Sequence, residues 1–383
     1  MIEGLATAEG TARYKAAFSG KVAADHFALA RGLWFSSIGL GTYLGEPTSK
    51  DDASYEEAAR EALLSGCNVL DTAINYRFQR SERTLGKTIA ALIGERRIAR
   101  DEFIVATKGG FIPFDGGYAH DPAAWVKETF LDTGVAKKEE IVADCHCIAP
   151  GYLDHQFEAS RRNLGLEAID IFYLHNPETQ LQSVDRKEFL SRLRAAFAVL
   201  ERKVGEGRLS MYGTATWDGY RTPSGDPGHI SLSEVLLAAG EAARDSGSAR
   251  HHFGAAQLPL NLAMPEALLH PTQVPVGPDG RPLPGRGEMP FLAASTHADL
   301  VVMASASILQ GHLIAKMPAD LAARIRGGST AAQKAIQWVR SAPGLTTALV
   351  GMRSRSHVEE NLALAADPRM SIEEFRAFLT PRH

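Results

Sequence analysis

The stretch 51-DDASYEEAAREALLSGCNVLDTAINY-76 decides the fold. After Asp51-Asp52, the residues Tyr55, Ala58, Ala59, Ala62 and Leu63 recur at the spacing of one helical face, and Gly66 closes the run. Asn68-Val69-Leu70-Asp71 follows at once. It is short and apolar and runs into polar residues, the pattern of a parallel strand buried on both faces whose chain then emerges into a loop.

The same unit repeats in both directions. Strands are predicted at Ile38 to Thr42, Asn68 to Asp71, Phe103 to Thr107, Ile169 to Leu174, Leu209 to Gly213, Phe253 to Gln257, Leu300 to Ala304 and Thr346 to Val350. Helical patterns separate them, at Leu85 to Ile93, Phe157 to Leu164, Phe189 to Leu200, Leu232 to Ala239, Glu288 to His297, Thr330 to Val339 and Val358 to Ala366. Thr330 with Gln333, and Ser356 with Glu359, have the spacing of a capping box. Eight strand-helix units imply an α/β protein, a (β/α)8 TIM barrel with long βα loops at its C-terminal face. A doubly wound open sheet is the competing arrangement. It calls for a G-x-G-x-x-G turn after the first strand, and Ile38-Gly39-Leu40-Gly41-Thr42 lacks the third glycine and the following helix.

The predicted organisation is an N-terminal extension over 1–30 and one barrel domain over 31–383, with insertions at about 109–151, 219–230 and 264–290. All three insertions leave carboxyl ends of strands, where barrels of this kind place their sites, and are expected to be walls or lids of a pocket. The net charge of -4 comes from interspersed acids and bases, with no basic stripe, so nucleic acid is not an expected partner. No run approaches about 18 apolar residues, and the opening segment carries charges throughout. A cytoplasmic protein without a membrane segment is expected; oligomeric state is not read from the sequence. Three cysteines make no disulfide framework. Asp144-Cys145-His146-Cys147 carries metal-ligand residue types, but cysteines one residue apart match none of the usual zinc spacings, so no metal is expected.

Four strand ends carry chemistry. Asp71 ends the second strand, Tyr76 stands five residues beyond it, Lys108 follows the third strand and His175 follows the fourth. Barrel topology gathers this acid, phenol, amine and imidazole on one rim. Taken singly, a lysine there is a solvated charge and an aspartate a helix cap. Together they are coherent: a phenol is a poor acid at neutral pH unless a cation stabilises its anion, and Lys108 supplies one. Asp71 then holds Lys108, while His175 is placed to hydrogen-bond a substrate oxygen.

With these residues the chain resembles the aldo-keto reductases. The matching stretches are Leu40-Gly41-Thr42-Tyr43, Asp71-Thr72-Ala73 with Tyr76 and Ser81-Glu82 up to Gly86, Thr107-Lys108, and Arg162 to Leu166 running into Ile169-Asp170 and Leu174-His175. Gly213 to Trp217, Gln257 with Asn261, and Gly351 to Asn361 complete the set, in family order from about residue 33 to 366. The resemblance implies a catalytic tetrad of Asp71, Tyr76, Lys108 and His175. It also implies a hydride passing between NADP(H) and a small carbonyl or alcohol substrate (aldehyde, ketone or sugar), with Tyr76 as general acid and base. By position it sets Thr42, Tyr43 and Asp71 near the nicotinamide ribose, Thr216 and Gln257 near the carboxamide, and Ser305, Ile308 and Leu309 in the cofactor segment after the seventh strand. Gly351, Arg353, His357, Glu360 and Asn361 would surround the adenosine and its 2′-phosphate. A phosphate there also has a physical basis, since a helix N-terminus beside Arg353 and Arg355 offers free amides and positive charge. NADP(H) is therefore expected ahead of NAD(H).

The chain departs from the family pattern in three places. Ala215-Thr216 stands where Ser-Asn or Ser-Arg is usual, and Ser305 to Gly311 lacks the usual aromatic and proline. The insertion after Lys108 carries Phe111, Phe114, Tyr118, His120 and Trp125, which either line a substrate pocket or anchor the loop. Arg77, Gln79 and Arg80 beside Tyr76 either meet a polar or anionic substrate or solvate a helix start. Two other functions remain open to the sequence: a cofactor-binding interaction subunit resembling potassium-channel β subunits, and a barrel enzyme that uses no nicotinamide.

Overall fold

The computed structural model describes residues 1–380. Ten strands are present: β1 Phe27–Ala30, β2 Leu33–Ser36, β3 Ile38–Gly41, β4 Val69–Asp71, β5 Ile104–Gly109, β6 Ile169–His175, β7 Leu209–Ala215, β8 Phe253–Pro259, β9 Val301–Ser305 and β10 Thr347–Gly351. Strands β3 to β10 pair in parallel in sequence order and close on themselves, β10 bonding to β3, which makes the eight-stranded barrel of a (β/α)8 fold. Each of the eight barrel strands falls within two residues of its predicted position. Lys108 and His175, expected just past their strands, are instead within β5 and the last residue of β6.

Alternation along the strands divides the core in two. Val69, Ile104, Ala106, Ile171, Tyr173, Met211, Ala255, Val301, Met303 and Leu349 form an inner cluster. Leu40, Leu70, Val105, Phe172, Tyr212, Ala256, Val302 and Val350 pack outward against the surrounding helices. Strands buried on both faces read as continuous apolar runs, which is why they were visible from sequence. Gly86 allows the helix Arg80–Gly94 to cross close to Pro150–Leu164, since a Cβ there would stand 2.6 Å from the Leu164 carbonyl oxygen.

Before the barrel, the helix Ala8–Ala17 and the antiparallel hairpin β1–β2 lie on the side opposite the strands' carboxyl ends. Ala6, Leu33 and Phe35 join the inner cluster, so the hairpin plugs the barrel floor. Neither feature is marked by periodicity in the sequence.

Helix starts show one success and one correction. Thr330 and Gln333 form the expected capping box at Ala331–Arg340. The last barrel helix, Arg355–Ala363, is capped by Ser354 through the His357 amide, two residues earlier than the Ser356/Glu359 spacing suggested. Glu359 is turned instead to Arg355, 2.8 Å away. Ser371 and Glu374 form a second capping box, at Ile372–Leu379.

Two insertions lie away from the main cavity. Segments 219–230 and 264–290 supply no residue to the cavity described below. They pack on each other: the Thr272 hydroxyl donates to the Tyr220 carbonyl at 2.8 Å, Arg221 pairs with Glu266 at 2.6 Å, and Ser233 donates to the Gly280 carbonyl at 2.8 Å. Segment 264–290 thus also packs against the start of the helix Leu232–Asp245. Among the described residues no helix is long and apolar enough to cross a membrane, and no cluster of His, Cys, Asp and Glu could hold a metal ion. Burial pushes the Cys147 thiol up to about 12, a thiol unsuited to act as a ligand.

Candidate active site

Asp71 closes β4 and Lys108 lies in the neighbouring β5, both aimed into the top of the barrel. The Lys108 ammonium donates to both Asp71 carboxylate oxygens, at 2.9 and 2.7 Å, and to the Thr72 carbonyl at 2.8 Å. The side chain is fully buried, and it also reaches the Tyr76 phenol. Burial works against the charge, but Asp71 and the adjacent phenol of Tyr76 outweigh it, so Lys108 is held above the ordinary lysine value. Gln257, from β8, donates its amide to Asp71 at 2.7 Å and fixes the carboxylate from the far side.

Tyr76 follows a turn begun at Ala73, whose carbonyl accepts from the Tyr76 amide at 3.0 Å. The next three residues, Arg77, Phe78 and Gln79, are all left-handed, with φ of 48°, 56° and 70°. Such runs are strained for residues with a Cβ and persist only where the surroundings enforce them. Enforcement here comes from Asp52, whose carboxylate pairs with Arg77 and Arg80 together, while Arg77 also donates to the Glu46 carbonyl at 3.1 Å. Arg77 and Arg80 therefore face the helix Ser49–Leu64, and Gln79 binds Asn163 and the Phe114 carbonyl. None of the three lines the cavity, so the idea that they meet a substrate is set aside.

The result is a compact constellation. Lys108 Nζ stands 4.8 Å from the Tyr76 ring centre, and Tyr76 meets His175 edge-on at 5.8 Å and Tyr43 at 5.1 Å. Burial pushes the Tyr76 phenol above its ordinary value; Lys108 pulls it back only in part. His175 is driven well below the ordinary imidazole value by burial, with Lys108 adding to the effect, so the ring is neutral at pH 7.

Above these residues opens a cavity of about 520 Å³. Thr42, Tyr43, Asp71, Tyr76, His175, Thr216, Gln257, Ser305, Ile308 and Gly351, all named from sequence, line it. Lys108 lies just beneath, reached through Asp71. Leu309, Arg353, His357, Glu360 and Asn361 stand outside this lining. Arg353 is paired with Asp51 at 3.2 Å, and Arg355 with Glu359 at 2.8 Å and Glu61 at 3.3 Å, so both guanidiniums are engaged by carboxylates. Asn361 is buried with its side-chain oxygen unpartnered.

Asn75 and Trp217 also line the cavity and were missed, while Phe111, one of the insertion's aromatics, joins them. Asn75 precedes Tyr76 in the same turn, and its buried oxygen has no partner. Phe111 forms a wall at 4.9 Å from the His175 ring, perpendicular to it. Phe114, Tyr118 and Trp125 cluster with Phe78 or each other and anchor the loop, so the insertion does both things the sequence left open. Trp217 lines the mouth, its amide and the next two donated to Glu178 Oε1 at 2.6, 3.1 and 3.4 Å. Only the position of Phe111, just past a strand end, was a usable sign.

The aldo/keto reductase family model matches residues 37–222, the half of the barrel that carries all four residues of this constellation. The chain belongs to the aldo/keto reductase family. Among similar curated proteins are the NADH-specific methylglyoxal reductase of Escherichia coli (strain K12) and the D-threo-aldose 1-dehydrogenase of a Pseudomonas species. The first is 26% identical over 48% of this chain and 49% of its own length, the second 28% identical over 49% and 51%. The chain thus spans about half the length of the curated relatives it matches. Among solved structures, an aldo-keto reductase from Bacillus halodurans aligns over 92% of this chain and 95% of its own, with a TM-score of 0.60 at 16% identity. One from Klebsiella pneumoniae, solved with NADP and acetate, aligns over 91% and 92% with a TM-score of 0.56 at 20% identity. At these identities the structural likeness shows the barrel fold alone.

Proposed function

We propose that the protein is an oxidoreductase that interconverts a small carbonyl compound and its alcohol with NADP(H), Tyr76 serving as general acid and base. The observation that carries this reading is the buried Asp71–Lys108 pair set beneath a phenol and a neutral imidazole at the floor of one cavity. Lys108 stabilises the phenolate and so lets Tyr76 release and regain a proton at the substrate oxygen. Asp71, held by Lys108 and Gln257, keeps the ammonium charged and in place. His175, neutral, is suited to donate a hydrogen bond to the same oxygen rather than a proton.

A nicotinamide cofactor, when bound, supplies or takes up the hydride. The residues present fit such a group: the Thr216 hydroxyl is buried, unpartnered and on the cavity wall, and Ser305, Ile308 and Gly351 continue that wall. The relatives described as a methylglyoxal reductase and an aldose dehydrogenase support a carbonyl or sugar substrate. Among the described residues no lysine or arginine lines the cavity, which favours uncharged carbonyls over carboxylated ones. For the adenosine end a second reading has its own observation, since Arg353 and Arg355 are already engaged by carboxylates and one relative is NADH-specific. Fluorescence titration with NADPH and NADH in parallel separates them, and tighter NADH binding would replace NADP(H) by NAD(H). The enzymatic reading is tested by coenzyme oxidation with methylglyoxal and a panel of aldehydes and ketones, and by the reverse reaction with sugars and alcohols. Coenzyme binding with no turnover in either direction would leave a binding subunit as the better account.

A further inference from the structure

His146 lies in the insertion after β5, fully buried, and the chemistry above does not use it. Its two ring nitrogens are both engaged. Nε2 lies 2.7 Å from the carbonyl oxygen of His175, and Nδ1 lies 2.8 Å from the side-chain nitrogen of Gln180. Gln180 is held in turn by Arg192, which donates to its amide oxygen at 2.8 Å.

The proton positions follow from donor inventory alone. Arginine only donates, so the oxygen of Gln180 faces Arg192 and its NH2 group faces His146. That NH2 group donates to Nδ1, which must be bare. The ring proton is therefore on Nε2, and Nε2–H donates to the His175 carbonyl. Burial drives His146 down to about 4, so this tautomer persists uncharged across the neutral range.

The His175 ring makes no side-chain hydrogen bond of its own among the described residues, and its Nδ1 is buried without a partner. What orients it is its backbone and the rings around it. The chain turns sharply at this point, Asn176 being left-handed with φ of 46°. His146 grips the His175 carbonyl just before that turn. It also pairs with Phe111 as an isolated bridge and packs edge-on against the Phe111 ring at 5.1 Å, and Phe111 is the wall perpendicular to the His175 imidazole. Gly110 makes the approach possible, since a Cβ there would stand 2.8 Å from His146 Nε2 and 3.0 Å from the His175 oxygen.

We propose that His146 is a positioning residue for His175, the Arg192–Gln180–His146 chain fixing the backbone and the aromatic wall that aim the His175 imidazole into the cavity. The proposal rests on the reductase reading for its kinetic consequence but not for its structural one. Two variants and the wild type test it. His146→Leu removes the donor; His146→Gln keeps an amide N–H near the place of Nε2–H. With NADPH and methylglyoxal, His146→Leu should lower kcat by about 10- to 100-fold, the scale of a misplaced catalytic group, while the NADPH Kd moves less than about twofold. His146→Gln should recover most of that loss. NMR of isotope-labelled histidine should show His146 protonated at Nε2 in the wild type, and His175 resonances displaced in the leucine variant and restored in the glutamine variant. A proton on His146 Nδ1 in the wild type overturns the proposal whether or not either variant folds. So does a folded leucine variant with unchanged His175 resonances, or a glutamine variant no better than leucine. A wild type that turns over no carbonyl overturns the reductase reading instead, and the resonances still decide the placement.

Discussion

Lys108 keeps its charge inside a barrel because three acceptors surround it, and removing it would leave the Asp71 carboxylate buried with Gln257 as its remaining side-chain donor. Lys108→Met should therefore cost about 3–5 kcal/mol in chemical denaturation as well as turnover, and a double variant with Asp71→Leu should recover much of the stability and none of the activity. Tyr76→Phe removes one oxygen and no packing. Its expected signature is a fall in kcat of about 10²- to 10⁴-fold with the NADPH Kd nearly unchanged; activity within tenfold of wild type, measured by coenzyme oxidation, would move the proton role elsewhere. At this scale Asp71, Lys108 and His175 were legible because strand ends in a parallel barrel converge, whatever lies between them in sequence. The role of His146 was not, since an insertion without periodicity gives no sign of which side chains turn inward.

Helix ends illustrate where local sequence suffices and where it does not. Thr330 is the N-cap of Ala331–Arg340, with the Gln333 side chain returning to the Thr330 amide at 3.3 Å. Thr330→Ala should cost about 1 kcal/mol, read as a lower urea midpoint with unchanged slope; no change would mean Gln333 alone closes the turn. The spacing of Ser356 and Glu359 was equally good in sequence, yet Ser354 took the cap. The deciding factor is that β10 ends at Gly351, which leaves Ser354 in extended backbone, φ −120° and ψ 151°, with its hydroxyl toward the His357 amide. Segments 219–230 and 264–290 raise a related point. Length and polarity mark an insertion, but not the side of the rim over which it folds.

For the molecule as a whole, the floor is a structural commitment that periodicity did not reveal. Phe35 is fully buried in the hairpin that closes the barrel, and Phe35→Ala should destabilise the protein by about 3–5 kcal/mol through the cavity it leaves. A loss under about 1 kcal/mol in denaturant titration would mean that the hairpin docks weakly. Stability should also depend on pH through buried histidines. His26, bonded to Ser37 and the Gly66 carbonyl, and His146 are both lowered by burial from 6.5 to about 4. Above pH 6.5 their contribution is complete; as pH falls towards 4 the unfolded chain takes up protons that the folded chain refuses. Each histidine then removes about 1.4 kcal/mol per pH unit, so urea midpoints should drop clearly between about pH 7.5 and about pH 5. A flat profile would show the rings to be solvated. The eight-strand plan itself was readable because every strand is apolar on both faces.

Asp52 never touches the cavity, yet it holds the two guanidiniums that keep Arg77 to Gln79 in their left-handed turn. The phenol's address is thus written on a different helix, by a half-buried carboxylate. A neutral replacement at Asp52 would act like a lesion at Tyr76 itself, without altering any group that meets the substrate. Drift at this outwardly unremarkable carboxylate is constrained from within, and redesign of the cavity has a handle outside it.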